Sequence, residues 1–353
     1  MWIFKSQKPT KSLGVDIGSK AIRIVEISEE NDRKELTNYG ELKLDDVSID
    51  TFKYFNKQTF QPSIENVSRA IRAILEEAEI ETKEAVFSLP DFSTFFTSFS
   101  LPPMKKEELD GAVHFESKKH IPLPFDDIVI DWQLIGEAVN DKEGENKILA
   151  MAISKKLIEN YKQIAVNCGL RLMSLEAEVI GLKRAIVGKS EDAYCLVEIG
   201  YQSTTMSIIE KGFITNSISF DMAGKDFTYS ISESLSIGLE KAEKIKKAQG
   251  IVEANEKEIE KVLSPILSVI SIKLKNIISD FEEKNNKKIQ KIILTGGSSQ
   301  MPGILEYFKK EFIDIETGNA FDNIFYPSEI KPILPDINST FSVALGEALK
   351  RFE

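Results

Sequence analysis

Two stretches far apart in this chain share one pattern: an apolar strand runs into an acid, an apolar residue, a glycine and a polar tip, then returns as a second strand. The first is "LGVDIGSKAIRIVEI" (13–27) and the second is "VEIGYQSTTMSII" (197–209). In the first, Leu13, Val15 and Ile17 alternate before the tip and Ile22, Ile24 and Ile27 alternate after it, with Val25 out of step; that period of two predicts paired strands. The separation between the copies is too long for a solenoid, so the repeat predicts two related lobes, each opening on the same hairpin. A turn needs glycine and a small polar residue in any case, and Gly18 and Ser19 can simply bend the chain. The chemical reading is that a glycine tip leaves backbone N–H groups unshielded, and concave rows of such amides bind phosphate oxygens. Asp16 and Glu198 would then hold a hydrated Mg²⁺ through its waters, and Lys20 would offset phosphate charge. On this reading the two tips meet around a nucleotide tail.

Composition narrows the classes. A chain of 353 residues exceeds one domain at the usual size of about 150 residues, and 42% hydrophobic with 29% charged residues is ordinary for a globular protein. A net charge of −11 argues against an extended nucleic-acid footprint, because phosphate backbones need clustered basic residues. Cys168 and Cys195 frame no disulfide scaffold or metal knuckle, which fits a reducing cytoplasm. His114 and His120 are six apart, off the spacing that puts two metal ligands on one helical face. The opening "MWIFKSQKPTKS" lacks the apolar run and cleavage site of a signal peptide; Trp2, Ile3 and Phe4 are either a frayed terminus or a docking element for membrane or partner. No stretch reaches about 18 uninterrupted apolar residues.

Along the chain, "TNYGELKL" (37–44) predicts a third strand, and "SIENVSRAIRAILEEAEI" predicts a helix, with Ser63 as N-cap and Ile64, Val67, Ile71, Ile74, Leu75 and Ala78 on its apolar face. "EAVFSLP" is a short strand closed by Pro90. The aromatic "FSTFFTSFSLPPM", a charged helix with Leu109, Ala112 and Val113 on one face, the strand in "HIPLPFDDIVIDWQLI", the solvated turn "DKEGEN" and "KILAMAIS" together read as a small α+β unit over 84–170. After the second hairpin come "AGKDFTYSIS" leading into a helix, and a polar helix in which Glu243 and Lys246 either pair with each other or face a ligand. A long helical stretch follows, interrupted at "SP", where Pro265 is predicted to start a fresh helix. "LTGGSSQMPG" then places Gly296 and Gly297 between a strand and a helix, a turn in the simplest case and, in the functional one, a bare backbone against which a nucleoside can lie.

This ordered set, ending in "ALGEALKR", resembles the actin-like ATPase superfamily, and within it most closely the PilM family of type IV pilus assembly proteins. "LPPMKKEELDGAVHFESKKHIPLPFDDIVIDWQLI" resembles that family's inserted subdomain, and "CGLRLMSLEAEVIGLKRA" its return to the first lobe. The resemblance implies an α/β, actin-like two-lobed fold built from duplicated ribonuclease-H-like domains. It implies a first lobe over 1–83, 171–190 and 340–353 with a partner-binding α+β subdomain inserted in it over 84–170, and a second lobe over 191–222 and 288–339 with a lid subdomain over 223–287. It implies ATP and Mg²⁺ as ligands: Asp16, Gly18, Ser19 and Lys20 fall in the first phosphate motif, and Glu198, Gly200 and Ser203 in the second. Gly224 falls at the opening of the lid, Glu243 and Lys246 at ribose and base contacts, and Gly296, Gly297 and Ser298 in the adenosine motif, with Asp16 and Glu198 at the metal.

Two departures bear on turnover. The family pattern has Asp where this chain has Glu198, and a small residue where it has Tyr201. An added methylene shifts the acid by about 1 Å, a misplacement that costs about 100-fold in a positioned reaction. Binding with at most weak ATPase activity is therefore expected. The implied role is a cytoplasmic scaffold, peripheral to the inner membrane, that takes the N-terminal peptide of a PilN-type membrane protein in a groove beside the insertion; other pilus platform or motor proteins and self-association are further partners it allows. "FSTFFTSF" is a candidate groove wall, and equally the insertion's own core. The alternatives are an FtsA-like division filament, against which the chain's stop at "LKRFE" weighs, and a small-molecule kinase, for which no general base is evident.

Overall fold

In the computed structural model, residues 10–43, 55, 61–135, 144–252 and 257–353 are described. Trp2, Ile3 and Phe4, Leu44 and the first half of the "DKEGEN" turn (141–143) lie outside them. In chain order the strands are β1 (Lys11–Ile17), β2 (Ala21–Glu30), β3 (Arg33–Lys43), β4 (Glu84–Leu89), β5 (Thr94–Leu101), β6 (Ile128–Leu134), β7 (Asn146–Ser154), β8 (Arg171–Ala177), β9 (Ala193–Ile199), β10 (Thr204–Glu210), β11 (Phe213–Phe220), β12 (Lys291–Thr295) and β13 (Ile315–Thr317). The helices are α1 (Ile64–Glu77), α2 (Lys106–His120), α3 (Lys155–Asn167), α4 (Glu178–Leu182), α5 (Gly224–Leu235), α6 (Leu239–Ala248), α7 (Lys257–Asn285), α8 (Ile304–Lys309), α9 (Leu334–Ile337) and α10 (Ser342–Leu349). They fall into two compact units, the first from Met1–Pro90, Lys156–Ile186 and Asn319–Glu353, the second from Asp91–Lys155 and Val187–Gly318.

The first unit is built on a sheet of order β3-β2-β1-β4-β8. β1, β2 and β3 run antiparallel, and β4 and β8 join them in parallel. The residues read as alternating, from Leu13 to Ile27, are buried throughout, because helices cover both faces of this sheet and even Val25, out of step, finds a core. On one face α10 lies so close that a side chain at Gly14 would put its Cβ 1.8 Å from the Ala344 carbonyl oxygen. Of the predicted stripe on α1, Val67, Ile71, Ile74 and Leu75 are buried, while Ile64 at its start and Ala78 just past its end are half-buried. Ser63 takes the N-cap position without a side-chain capping bond. Glu26 is fully buried in the hairpin stem, where it accepts hydrogen bonds from Thr37, Asn38, Thr82 and Lys11.

The second unit repeats the plan. Its main sheet has the order β11-β10-β9-β12-β13, an antiparallel three-strand meander followed by two parallel strands. Residues of α5, α6 and α7 close one core with β9, β10 and β12. The predicted break at Pro265 is absent: α7 is a single helix with the proline inside it. An interior proline costs about 3 kcal/mol, and here Leu263, Leu267, Ile270, Leu274, Ile277 and Phe281 keep one buried face continuous on both sides of it. By length and composition, Glu258–Asn285 is also the one helix among the described residues apolar enough to cross a membrane, and this core face accounts for that apolarity.

Asp91–Lys155 also belongs to the second unit, as a smaller antiparallel sheet of order β5-β7-β6 with α2 on one face. β4, read above as the start of the insertion, pairs in parallel with β1 and so completes the first unit's sheet. Phe95 and Phe99 pack into the insertion's cores, beside Ile121 and Leu101 respectively, which is the core reading of the aromatic run for those two rings. His120 stacks on Phe99 with centroids 5.1 Å apart, and His114 bonds the Asp110 backbone oxygen within its own helix.

Candidate functional site

In the first hairpin the register sets Asp16 opposite Arg23. Gly18 closes the turn by donating its N–H to the Ala21 carbonyl at 3.0 Å. Asp16 is 5% exposed; its Oδ1 accepts a 2.9 Å hydrogen bond from the Ser88 hydroxyl on β4, and its Oδ2 lies 3.8 Å from the Arg23 guanidinium. Arg23 in turn holds Glu41 at 2.7 Å and lies over the Phe341 ring. Burial pushes the Asp16 carboxyl above its usual range, against the opposite pull of Arg23 and Ser88. Gly18, Ser19 and Lys20 remain partly exposed at the tip. Ser88 and Arg23 were not among the residues singled out from sequence. Arg23 was findable by counting the hairpin register back from the tip; Ser88 is a lone hydroxyl inside an apolar strand, and only the β1–β4 pairing gives it a partner.

The second hairpin is wired through its backbone. The Gly200 N–H donates to the Ser203 carbonyl at 3.0 Å, while the Gly200 carbonyl accepts both the Gly224 N–H at 3.1 Å and the Ser298 hydroxyl at 2.7 Å. The neighbouring Tyr201 carbonyl accepts the Lys225 N–H at 2.9 Å. Asp226 completes the start of α5 by accepting the Ala223 N–H at 2.8 Å. The approach is close enough that a Cβ at Gly224 would lie 2.0 Å from the Ser298 hydroxyl. Gly296 has φ +89°, and a Cβ there would meet the Ile199 carbonyl at 2.6 Å and the Glu198 side chain at 3.0 Å, so position 296 admits only glycine. A Cβ at Gly297 would meet nothing within 4 Å, which leaves that side of the loop open.

Behind this loop cluster, Lys246 on α6 is 4% exposed. Its ammonium donates to the Gly224 carbonyl at 3.0 Å and the Thr228 hydroxyl at 3.0 Å, and pairs with Glu243 at 2.7 Å. Burial pushes the Glu243 carboxyl up, but Lys246, Thr228 and Lys247 outweigh it and hold the pKa below its ordinary value. The second-unit residues named from four separate motifs are therefore neighbours: Ser203 and Gly224 bond to Gly200 directly, Ser298 bonds to the same Gly200 carbonyl, Lys246 and Glu243 join through Gly224 and Thr228, and Gly296 packs against the end of β9.

The sequence profile of the family described as "Type IV pilus assembly protein PilM" matches residues 14–352. The chain belongs to the PilM family of type IV pilus assembly proteins. Among solved structures, a PilM-PilN type IV pilus biogenesis complex contains a chain similar to it, with a TM-score of 0.84 and 20% identity over 98% of this chain and 99% of that one. The ethanolamine utilization protein EutJ of Carboxydothermus hydrogenoformans is similar at a TM-score of 0.57 and 18% identity, over 97% of this chain and 90% of that one. MreB5 of Spiroplasma citri, solved with ADP, is similar at 0.56 and 13%, over 98% and 97%. These likenesses show the actin-like fold that the family resemblance implies. In sequence, the cell division protein FtsA of Bacillus subtilis is 23% identical over 54% of this chain and 51% of its own length, and FtsA of Neisseria meningitidis is 23% identical over 60% and 59%. The PilM-family chain thus spans between half and three fifths of the length of these curated relatives.

Proposed function

We propose that this chain is an ATP-binding scaffold of the type IV pilus, or a related assembly platform, and that it holds the N-terminal cytoplasmic peptide of a PilN-like inner-membrane protein. The single observation that carries the nucleotide reading is the convergence on Gly200: four motifs scattered from 198 to 298 meet at one loop cluster, beside a glycine that tolerates no side chain and another whose outer side is open. In this reading Gly200, Ser203, Gly224, Gly296, Gly297 and Ser298 line the second unit's share of the nucleotide site and Glu243 receives a sugar hydroxyl. Asp16, Gly18, Ser19 and Lys20 supply the first unit's phosphate loop. Asp16 and Glu198 hold Mg²⁺ through water, a role suited to carboxylates because the ion dehydrates reluctantly. When bound, the ion would neutralise phosphate charge. The buried Asp16, fixed by Ser88 and Arg23, orients its free lone pairs rather than moving freely.

The partner assignment is supported by family membership and by the likeness to a chain solved in a PilM-PilN complex. The three-stranded insertion carries the peptide contact, and binding a membrane protein's tail places the scaffold at the cytoplasmic face of the inner membrane. A ligand that binds only the folded state raises its stability, by about 2.7 kcal/mol at a hundredfold excess over Kd. Mg-ATP is therefore expected to raise Tm by several degrees, and Asp16→Ala to remove that rise. Fluorescence anisotropy with a synthetic PilN-type N-terminal peptide tests the second half, and the expected result is saturable binding to the full chain. An Asp16→Ala protein that responds to Mg-ATP like the wild type removes the acid from the site; a peptide that never saturates removes the partner.

A further inference from the structure

We infer that Lys246 is a positioning residue: it clamps the first turn of α5 onto the phosphate hairpin of the second unit and makes no contact of its own with the nucleotide. The affinity arm of this inference rests on the ATP-binding reading above; the clamp itself does not. An ammonium has three N–H donors and no acceptor. At Lys246 three partners within the protein take them: the Gly224 carbonyl at 3.0 Å, the Thr228 hydroxyl at 3.0 Å and a Glu243 carboxylate oxygen at 2.7 Å. The side chain is almost wholly out of solvent. A buried charge with its donors satisfied in this way has nothing left to offer a ribose or a base, and withdrawing one donor would strand a desolvated partner.

What the clamp holds is the route to the phosphate loop. Lys246 fixes the Gly224 carbonyl; the Gly224 N–H donates to the Gly200 carbonyl, which also receives the Ser298 hydroxyl. One residue further on, the Lys225 N–H donates to the Tyr201 carbonyl. The first amides of α5, which at an open helix start would be available to an anion, are thus spent on the hairpin tip. The hairpin in turn has its conformation set before any ligand arrives. Glu243 differs from Lys246. Its Oε2 takes Lys246 and Thr228 and its Oε1 takes Lys247 at 3.3 Å, and a carboxylate with about four lone-pair positions retains acceptor capacity beyond these. The two residues, three apart on one helix, therefore divide their roles: the acid can meet a ligand hydroxyl, and the lysine sets the backbone.

The test has a wild-type arm and a variant arm. Lysine footprinting of the full-length protein with a water-soluble succinimidyl ester, read by mass spectrometry with and without Mg-ATP, is expected to leave Lys246 unlabelled in both states while exposed Lys244 labels in both. Labelling of Lys246 without nucleotide and its protection by Mg-ATP would overturn the inference. In Lys246→Met, hydrogen exchange at the Gly224 and Lys225 amides is expected to quicken at least tenfold without nucleotide. ATP affinity is expected to fall about tenfold with adenosine affinity kept within twofold, because the clamp acts on the phosphate hairpin; a purely structural defect would weaken both together. Unchanged exchange, or parallel loss of ATP and adenosine, counts against the inference. If Lys246→Met does not fold, the wild-type footprint decides. If the wild type binds neither ATP nor adenosine, the ATP reading falls, and the footprint and the amide exchange still decide the clamp.

Discussion

The two hairpins begin from one sequence pattern and are held by different means. At the first tip the acid is the hub: Asp16 takes a hydroxyl from Ser88 on the adjacent parallel strand and faces Arg23 across the hairpin, and Arg23 is itself tied to Glu41. At the second tip the hub is a peptide carbonyl, that of Gly200, and its partners are a helix N–H and a serine hydroxyl. The acid-x-glycine pattern thus specifies a strand, a tight tip and a return, and leaves the fastening to whatever the neighbouring element brings. In the first unit that neighbour is β4, with a hydroxyl. In the second it is the loop after β12, where Gly296 leaves no room for a side chain. A side-chain fastening responds to pH and to removal of charge; a backbone fastening responds to bulk.

The largest effect should come from bulk at the second tip. Gly296→Val forces a β-branched side chain into φ +89° and against the Ile199 carbonyl, and should cost about 3 kcal/mol or more in urea unfolding, from strain and overpacking together. If the loss is under about 1 kcal/mol, the loop is not constrained as described. Next is the first hairpin's stem. Glu26→Ala strands the donors of Thr37, Asn38 and Thr82 and should cost about 2–4 kcal/mol at pH 7.

The same residue gives the first hairpin a pH dependence. Burial raises the Glu26 carboxyl, but bonds from Thr37, Thr82, Asn38 and Lys11 bring it below its ordinary value of 4.5. A carboxyl depressed in the folded state stabilises in full above its unfolded pKa, and that contribution drains away as pH falls from about 4.5 through the folded value. Glu26→Gln should therefore lose less stability, relative to its own value at pH 7, than the wild type when both are titrated from pH 6 to pH 3. The smallest effect belongs to Ser88→Ala, which removes one bond to Asp16 and should cost about 1 kcal/mol; a matching loss in an Asp16→Ala background, which has no acceptor at that position, would show that the hydroxyl acts elsewhere.

Much of this was legible in the chain. The alternation in β1 and β2, the apolar stripe of α1 and the paired acid-glycine tips each follow from a local period that the tertiary fold does not overrule. The meeting of Gly200, Gly224 and Ser298 was implied only by the order of motifs, since nothing local to any one of them points to the other two. Two features were not legible. Pro265 reads as a helix start because its missing N–H is a strong local signal, yet the apolar stripe on both sides outweighs it. The fastening of Asp16 by Ser88 depends on a parallel pairing of strands 72 residues apart, and sequence alone carries no register for that.

The bare backbone at Gly14, against which α10 lies, also sets an order of assembly during synthesis. The apolar side of β1 and β2 is sealed by Ala344, Leu345 and Ala348, which leave the ribosome only after the whole of the second unit, whose last residue is Gly318. Until then the nascent β1–β2 sheet carries an open hydrophobic face that a later part of the same polypeptide must cap. Chaperone occupancy on stalled nascent chains should accordingly persist until α10 has emerged.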